Sequence, residues 1–187
     1  LLSLFISLSF LLIIFIIHFI KRKKNIYIFD IDNTICDTWK SLPRKKTKSL
    51  KYLQNEIKRV SELKIFENMR KEIESISSDS KNTVIFLSLR QIYLLNSTYR
   101  YLYTNKIIRT IFQILLVNSI YDKIKILKII RKVIRTNIYY YDDMSYNHEY
   151  GEVKFYNKVI KQIQEMNINY FNYEEIIKIQ TLLKSDE

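Results

Sequence analysis

Residues 26–34 read Ile26-Tyr27-Ile28-Phe29-Asp30-Ile31-Asp32-Asn33-Thr34. Four apolar residues of high strand propensity are followed by two carboxylates at alternate positions, just past the carboxyl end of the run. Two carboxylates about 4 to 6 Å apart repel by a few kcal/mol at an effective dielectric near 20. Such a pair calls for a cation or a proton between its members. An acidic turn with a local hydrogen bond from Asp32 or Asn33 is the plain alternative.

Outward from this stretch, short apolar runs alternate with amphipathic segments, the pattern of an α/β fold with a mostly parallel sheet. Further strands are expected at Val84 to Leu87, about Phe112 to Val117, Ile138 to Tyr141 and Ile168 to Phe171. Leu50, Leu53, Ile57 and Val60, then Leu63, Phe66, Met69 and Ile73, recur at helical spacing and predict one or two helices. Ser119 to Asp122 reads as a capping box opening a helix to about Arg135, and Glu152–Met166 and Tyr173–Leu183 read as two more. The expected fold class is α/β, a doubly wound, mostly parallel Rossmann-like sheet in one domain over residues 26–187.

Composition bounds the rest. The chain has 187 residues, with 31 Lys and Arg against 19 Asp and Glu, one Gly, one Pro and one Cys. Its 48% hydrophobic content excludes disorder. A single glycine excludes a G-x-G-x-x-G fingerprint and a P-loop. The lone Cys36 excludes an intrachain disulfide and a Cys-rich zinc site, and reads as a small buried hydrophobe. Scarce Ala, Gly and Pro beside abundant Lys, Ile, Asn and Tyr reflect codon bias, so the net charge of +12 says little about partners. Only 9 of the basic residues are Arg, the residue a nucleic-acid surface favours, so a nucleic-acid partner is not indicated. Gly151 is expected to supply a backbone conformation closed to other residues.

Three of the apolar strands end in chemistry: Asp30-x-Asp32, Ser88 and Asp142-Asp143. In a doubly wound sheet the carboxyl ends of neighbouring strands converge on one crevice, where ligands bind. Hard carboxylate oxygens without a Cys or His cluster select Mg²⁺. Lys123, in the first turn of the helix opened by Ser119, is disfavoured there by the helix dipole unless it points at an anion. Lys125 is the second choice.

These residues in this order resemble the motifs of the haloacid dehalogenase (HAD) superfamily of aspartate-nucleophile phosphohydrolases. Phe29-Asp30-Ile31-Asp32-Asn33-Thr34 is similar to the first motif, Val84 to Ser88 to the second, Lys123 to the third, and Tyr139-Tyr140-Tyr141-Asp142-Asp143 to the acidic fourth. A response-regulator receiver uses similar residue types in another order. The resemblance spans roughly residues 26 to 150 and implies a HAD-like sheet with a small helical cap at about 40–80. By the same resemblance Asp30 is the nucleophile, Asp32 the general acid and base, and Ser88 and Lys123 catalytic. Mg²⁺ is then held by Asp30, the Asp32 carbonyl and Asp143, with Asp142 positioning Lys123 or a metal-bound water. Arg90 is the first candidate for substrate binding, and Trp39, Tyr93, Asn147 and His148 lie near the predicted strand ends.

Residues 1–20 hold 16 apolar residues, three Ser and His18, and no formal charge. As a helix they span roughly 30 Å, so a single-pass transmembrane anchor is expected, with His18 reaching the headgroups. Residues 21–25 read as a basic juxtamembrane linker, and Lys21 to Lys24 place the following domain on the cytoplasmic side. The functional expectation is a membrane-anchored Mg²⁺-dependent phosphatase of a phosphomonoester. A nucleic-acid end phosphatase and a non-catalytic basic membrane-surface adaptor with a structural ion are the alternatives.

Overall fold

A computed structural model describes residues 23–41 and 49–181. The expected transmembrane helix at 1–20 and residues 21–22 of the basic linker lie outside these residues. Among the described residues no helix is long and apolar enough to cross a membrane.

The chain runs β1 (Asn25–Phe29), β2 (Cys36–Asp37), α1 (Leu50–Ser61), β3 (Lys64–Ile65), α2 (Glu67–Ser78), β4 (Asn82–Ser88) and α3 (Leu95–Thr104). It continues through β5 (Ile114–Leu116), α4 (Ile120–Val133), β6 (Asn137–Tyr141), β7 (Ser145–Tyr146), β8 (Lys154–Phe155), α5 (Asn157–Gln164), β9 (Asn169–Phe171) and α6 (Tyr173–Thr181). Five strands form the main sheet in the order β5-β4-β1-β6-β9, every neighbouring pair parallel. The chain steps from β1 to one side through β4 and β5, then to the other through β6 and β9. Each of the five expected strands is present, with ends within two residues of the predicted ones, β5 starting two residues late. There Ile111–Gln113 forms a 3-10 turn capped by Thr110 before the strand begins.

Both faces of the sheet are covered, which is why its strands are apolar without alternation. On one face Phe29, Val84, Phe86 and Tyr141 pack beneath Met69, Ile73 and Ile76 of α2 and Tyr101 and Leu102 of α3. On the other, Ile26, Ile28, Leu87 and Tyr140 pack beneath Ile124 and Leu127 of α4 and Val159 and Ile163 of α5. A row of rings crosses the sheet at its carboxyl edge. Phe29 lies in register with both Phe86 and Tyr141, and Tyr141 with Phe171. Ring centroids are 4.4 Å apart for Phe29 and Tyr141 and 4.1 Å for Tyr141 and Phe171, so flat stacking braces the layer directly beneath the acidic turns.

Two expected boundaries move. The segment 40–80, read as a helical cap, divides. Its α2 half buries Met69 and Ile73 on the sheet and is the crossover from β1 to β4, while the short β2 and β3 pair antiparallel and α1 lies against α3. The helix expected from Glu152 begins only at Asn157, because Lys154 and Phe155 pair with Tyr146 and Ser145 as a small antiparallel ladder. Gly151 has φ +80 at the end of the His148–Tyr150 turn, with nothing within 4 Å of where a Cβ would stand. It is backbone conformation, not crowding, that asks for glycine there.

Candidate active site

At the carboxyl edge of the sheet the backbone sets each acid in place. The Asp30 N–H donates to the Tyr141 carbonyl at 2.8 Å, which ties the end of β1 to the end of β6. Beyond Asp30 the chain turns tightly: Ile35 and Cys36 N–H groups both donate to the Ile31 carbonyl, and Asn33 adopts φ 61. Its side-chain oxygen accepts from the Thr38 hydroxyl at 2.5 Å, and Gln180 of α6 donates to the Asn33 carbonyl at 2.8 Å. Asparagine tolerates the left-handed region better than most residues. Cys36 is fully buried in this turn, its thiol pushed up to about 12 by burial, as a small core residue should be.

Lys123 enters from the first turn of α4, whose N-cap Ser119 accepts from the Asp122 N–H. Its ammonium lies 2.7 Å from Asp30 Oδ1 and 2.6 Å from Asp142 Oδ2, and only 2% of the residue is exposed. Burial lowers the Lys123 pKa, and Asp142 and Asp30 overturn that and raise it above its ordinary value. Lys125 points outward to Asp122 at 3.2 Å, so the choice between the two lysines falls to Lys123. Asp142 is saturated: Lys123 and the Tyr140 hydroxyl share Oδ2, the Met144 N–H donates to Oδ1 at 2.9 Å, and Tyr170 donates to its carbonyl at 2.9 Å. Met144 takes φ 46 to make that bond, so a residue with a Cβ sits in the left-handed region where the turn leaves the site.

Asp30, Asp142 and Asp143 each offer an oxygen, and the three oxygens lie within 4.8 Å of one another. Burial, then Asp142 and Asp32, push Asp30 up against the pull of Lys123, to about 7. Asp143 is raised well above its ordinary value, by burial first and then by Asp142 and Asp30. The Ser145 hydroxyl donates to Asp143 and lies 2.6 Å from His148 Nε2, and the His148 ring stacks on Trp39 with centroids 3.9 Å apart.

A second ion pair adjoins the first. Arg90 donates to Asp32 from Nη2 at 2.8 Å and from Nε at 3.0 Å, with Thr98 accepting from Nη1 at 3.2 Å. The Ser88 hydroxyl donates to the same carboxylate at 3.3 Å. Burial raises the Asp32 pKa, but the charge and hydrogen bonds of Arg90, helped by Arg59 and Lys123, outweigh it and hold the carboxyl below its usual range. The structure therefore joins Asp30, Lys123, Asp142 and Asp143, and sets Asp32, Ser88 and Arg90 beside them. The Asp32 carboxylate stands outside the acidic trio because Arg90 has claimed it, which leaves its main-chain carbonyl as the group expected to meet a metal. His148 and Trp39 reach the site's flank through Ser145. Tyr93 does not, lying toward Glu56 of α1. Tyr140, Tyr170, Ser145 and Thr98 were not anticipated from sequence; their hydroxyls lie in runs that read as strand and turn filler.

The donor set suits a divalent cation. Four buried or half-buried carboxyl groups face two cations, an excess of two that protons or a bound cation must offset where uncompensated charge is costly. All the available ligands are oxygens, the preference of Mg²⁺ and Ca²⁺. A pH dependence follows. With Asp30 near 7, the metal-free trio holds a proton below about that pH, and a cation must displace it. Apparent Mg²⁺ affinity should fall about tenfold per pH unit below that value. Calorimetric titration in buffers of different ionisation enthalpy reads both the affinity and the released proton; equal affinity on either side of neutrality contradicts the assignment.

The chain matches no protein-family model, no curated protein and no solved structure among those with which it was compared.

Proposed function

We propose that this chain is a divalent-metal-dependent phosphatase of the haloacid dehalogenase type, held at a membrane by residues 1–20. The observation that carries the reading is the meeting of Asp30, Lys123, Asp142 and Asp143 in one buried cluster, with Asp32, Ser88 and Arg90 at its edge. Asp30, Asp142 and Asp143 supply the carboxylates for Mg²⁺, which when bound offsets the charge of the phosphoryl oxygens.

The chain's own residues divide the remaining work. Asp30 is fixed at the tip of β1 and attacks phosphorus, forming an aspartyl phosphate as the ester oxygen leaves. Asp32 gives that oxygen its proton, then takes one from the water that attacks phosphorus and releases inorganic phosphate. Lys123 keeps Asp30 ionised and lessens its repulsion from a phosphate dianion, about 4 kcal/mol per like-charge pair at 4 Å and an effective dielectric of 20. The Ser88 hydroxyl donates to a phosphoryl oxygen. Arg90 holds Asp32 in its ionised form, so proton donation requires that pair to loosen, and the phosphoryl group is the anion for which Arg90 can exchange its partner.

The direct test is hydrolysis of a generic aryl phosphate by the full chain in detergent. Chelation should abolish turnover and Mg²⁺ restore it; turnover indifferent to both contradicts the proposal. Arg90→Gln tests the second pair. Without the guanidinium the Asp32 pKa rises, so the alkaline fall of kcat/KM moves up by about one unit. An unmoved limb removes Asp32 from the role of general acid.

A further inference from the structure

A cavity of about 740 Å³ opens at the amino end of β4, away from the acidic cluster. Asn82 to Ile85 line it, whereas Ser88 stands at the opposite end of the same strand, five residues or roughly 17 Å from Thr83. Its walls are the end of α2, the turn after it, and the segment from Lys106 to Gln113 that leads into β5. None of the residues given a catalytic role belongs to it.

Its chemistry is divided. Val84, Ile85, Ile107 and Phe112 give it an apolar lining, and on its rim Phe112 is 53% exposed and Ile111 beside it 37%. Lys23, Lys106 and Arg109 bring three cations to the same space. Two acids also line it: Glu74 pairs with Arg70 at 3.3 Å, and Asp79, whose Oδ1 accepts from the Lys81 N–H at 2.8 Å, leaves the three cations in excess. Lys106 and Arg109 make no ion pair among the described residues. Thr83, a residue only 9% exposed, also lines the cavity. The segment that carries Arg109 is held in place, because Gln113 Oε1 accepts from the N–H groups of Arg109 and Thr110 at 2.8 and 3.1 Å.

Position supplies the ligand. Lys23, which lines the cavity, lies three residues beyond Ile20, the end of the apolar run, so the cavity's edge is within roughly 10 Å of the point where that run stops. Under the membrane reading, on which this inference rests, that is headgroup depth. Exposed aromatic and aliphatic side chains mixed with Lys and Arg are what a protein presents to a bilayer surface with anionic lipids.

We infer that this cavity binds the headgroup of an anionic phospholipid, with Lys106 and Arg109 meeting its charge, and Ile111 and Phe112 resting among the acyl chains. The sheet then has two working ends. Its amino end engages lipid, and its carboxyl end, a strand's length away, faces a substrate in water.

The experiment uses the full chain in neutral maltoside micelles, titrated with dihexanoyl phosphatidylserine, dihexanoyl phosphatidylcholine or inorganic phosphate while amide hydrogen exchange is followed. Phosphatidylserine should slow exchange across residues 106–113, and the other two should not. Lys106→Gln with Arg109→Gln should raise the half-saturating concentration roughly thirtyfold, from about a factor of five per cation at an anionic surface. Equal slowing by phosphatidylcholine, equal slowing by free phosphate, no slowing by any ligand, or an unmoved midpoint in the double variant each overturns the inference. Aryl-phosphate turnover of the double variant reports that it is folded, since neither residue belongs to the acidic site. Two controls separate the readings: Asp30→Asn should keep the lipid response while losing turnover, and resistance of the chain to carbonate extraction tests the anchor by itself.

Discussion

Asp30→Asn is expected to lower turnover of an aryl phosphate by roughly four orders of magnitude or more, the scale on which loss of a nucleophile acts. The substitution keeps the shape of the side chain and removes its charge and its nucleophilic oxygen. The fold should survive, because Lys123 keeps Asp142 at 2.6 Å and the Asp30 N–H keeps its bond to the Tyr141 carbonyl. Far-ultraviolet circular dichroism and the melting temperature report that survival, and kcat reports the chemistry. A folded variant that retains turnover within about tenfold of the parent means that Asp30 does not form the covalent intermediate.

Lys123→Met is expected to have the largest effect on stability. Among the described residues the lysine is the only cation in contact with Asp30 and Asp142, and both partners are buried with it. Methionine fills similar space but leaves the carboxylates without their counter-charge, a loss of about 3 to 5 kcal/mol for a broken buried pair. At this chain length that corresponds to a fall in Tm of roughly 10 °C. The pH dependence has a definite sign. Asp30 is already raised in the folded state to about 7, and removing Lys123 raises it further. An acid whose folded pKa lies above its unfolded value favours the fold at low pH and loses that contribution as pH rises from the unfolded value through the folded one. The deficit of Lys123→Met should therefore shrink as pH is lowered from about 8 toward 5, and Mg²⁺ should recover part of it at the higher pH. Equal midpoints for variant and parent at pH 8 would remove Lys123 from its place as the charge that stabilises the cluster.

The strands and the crossover helix α4 were legible because each carries its own signal. Ile26 to Phe29 and Val84 to Leu87 are apolar runs too short for helices, and Ser119 with Asp122 marks a helix start by local hydrogen bonding. The lysine of that helix was legible through a conflict: a cation in the first turn is opposed by the dipole, and the opposition is resolved by Asp30 and Asp142. Helix α3 was not anticipated. Its sequence from Leu95 to Thr104 is rich in Tyr, Thr, Ser and Asn, weak helix formers, and half of its buried positions are the hydroxyl-bearing Ser97 and Thr98. Its helicity comes from packing on β5 and α1, which a local pattern does not report. The false start at Glu152 has the same origin, since Lys154 and Phe155 are claimed by a strand pairing ten residues back.

By itself the sequence determined the five strands, their polar tips and the four acids that stand there, because strand propensity, helix capping and the cost of placing carboxylates at the ends of apolar runs act over a few residues. Tertiary structure alone decided how those groups divide. Asp142 takes Lys123 and Tyr140, Asp143 turns to Ser145, and Arg90 takes Asp32 from 58 residues away. Charges choose partners by distance and burial in the folded chain, and neither is written in their spacing along it.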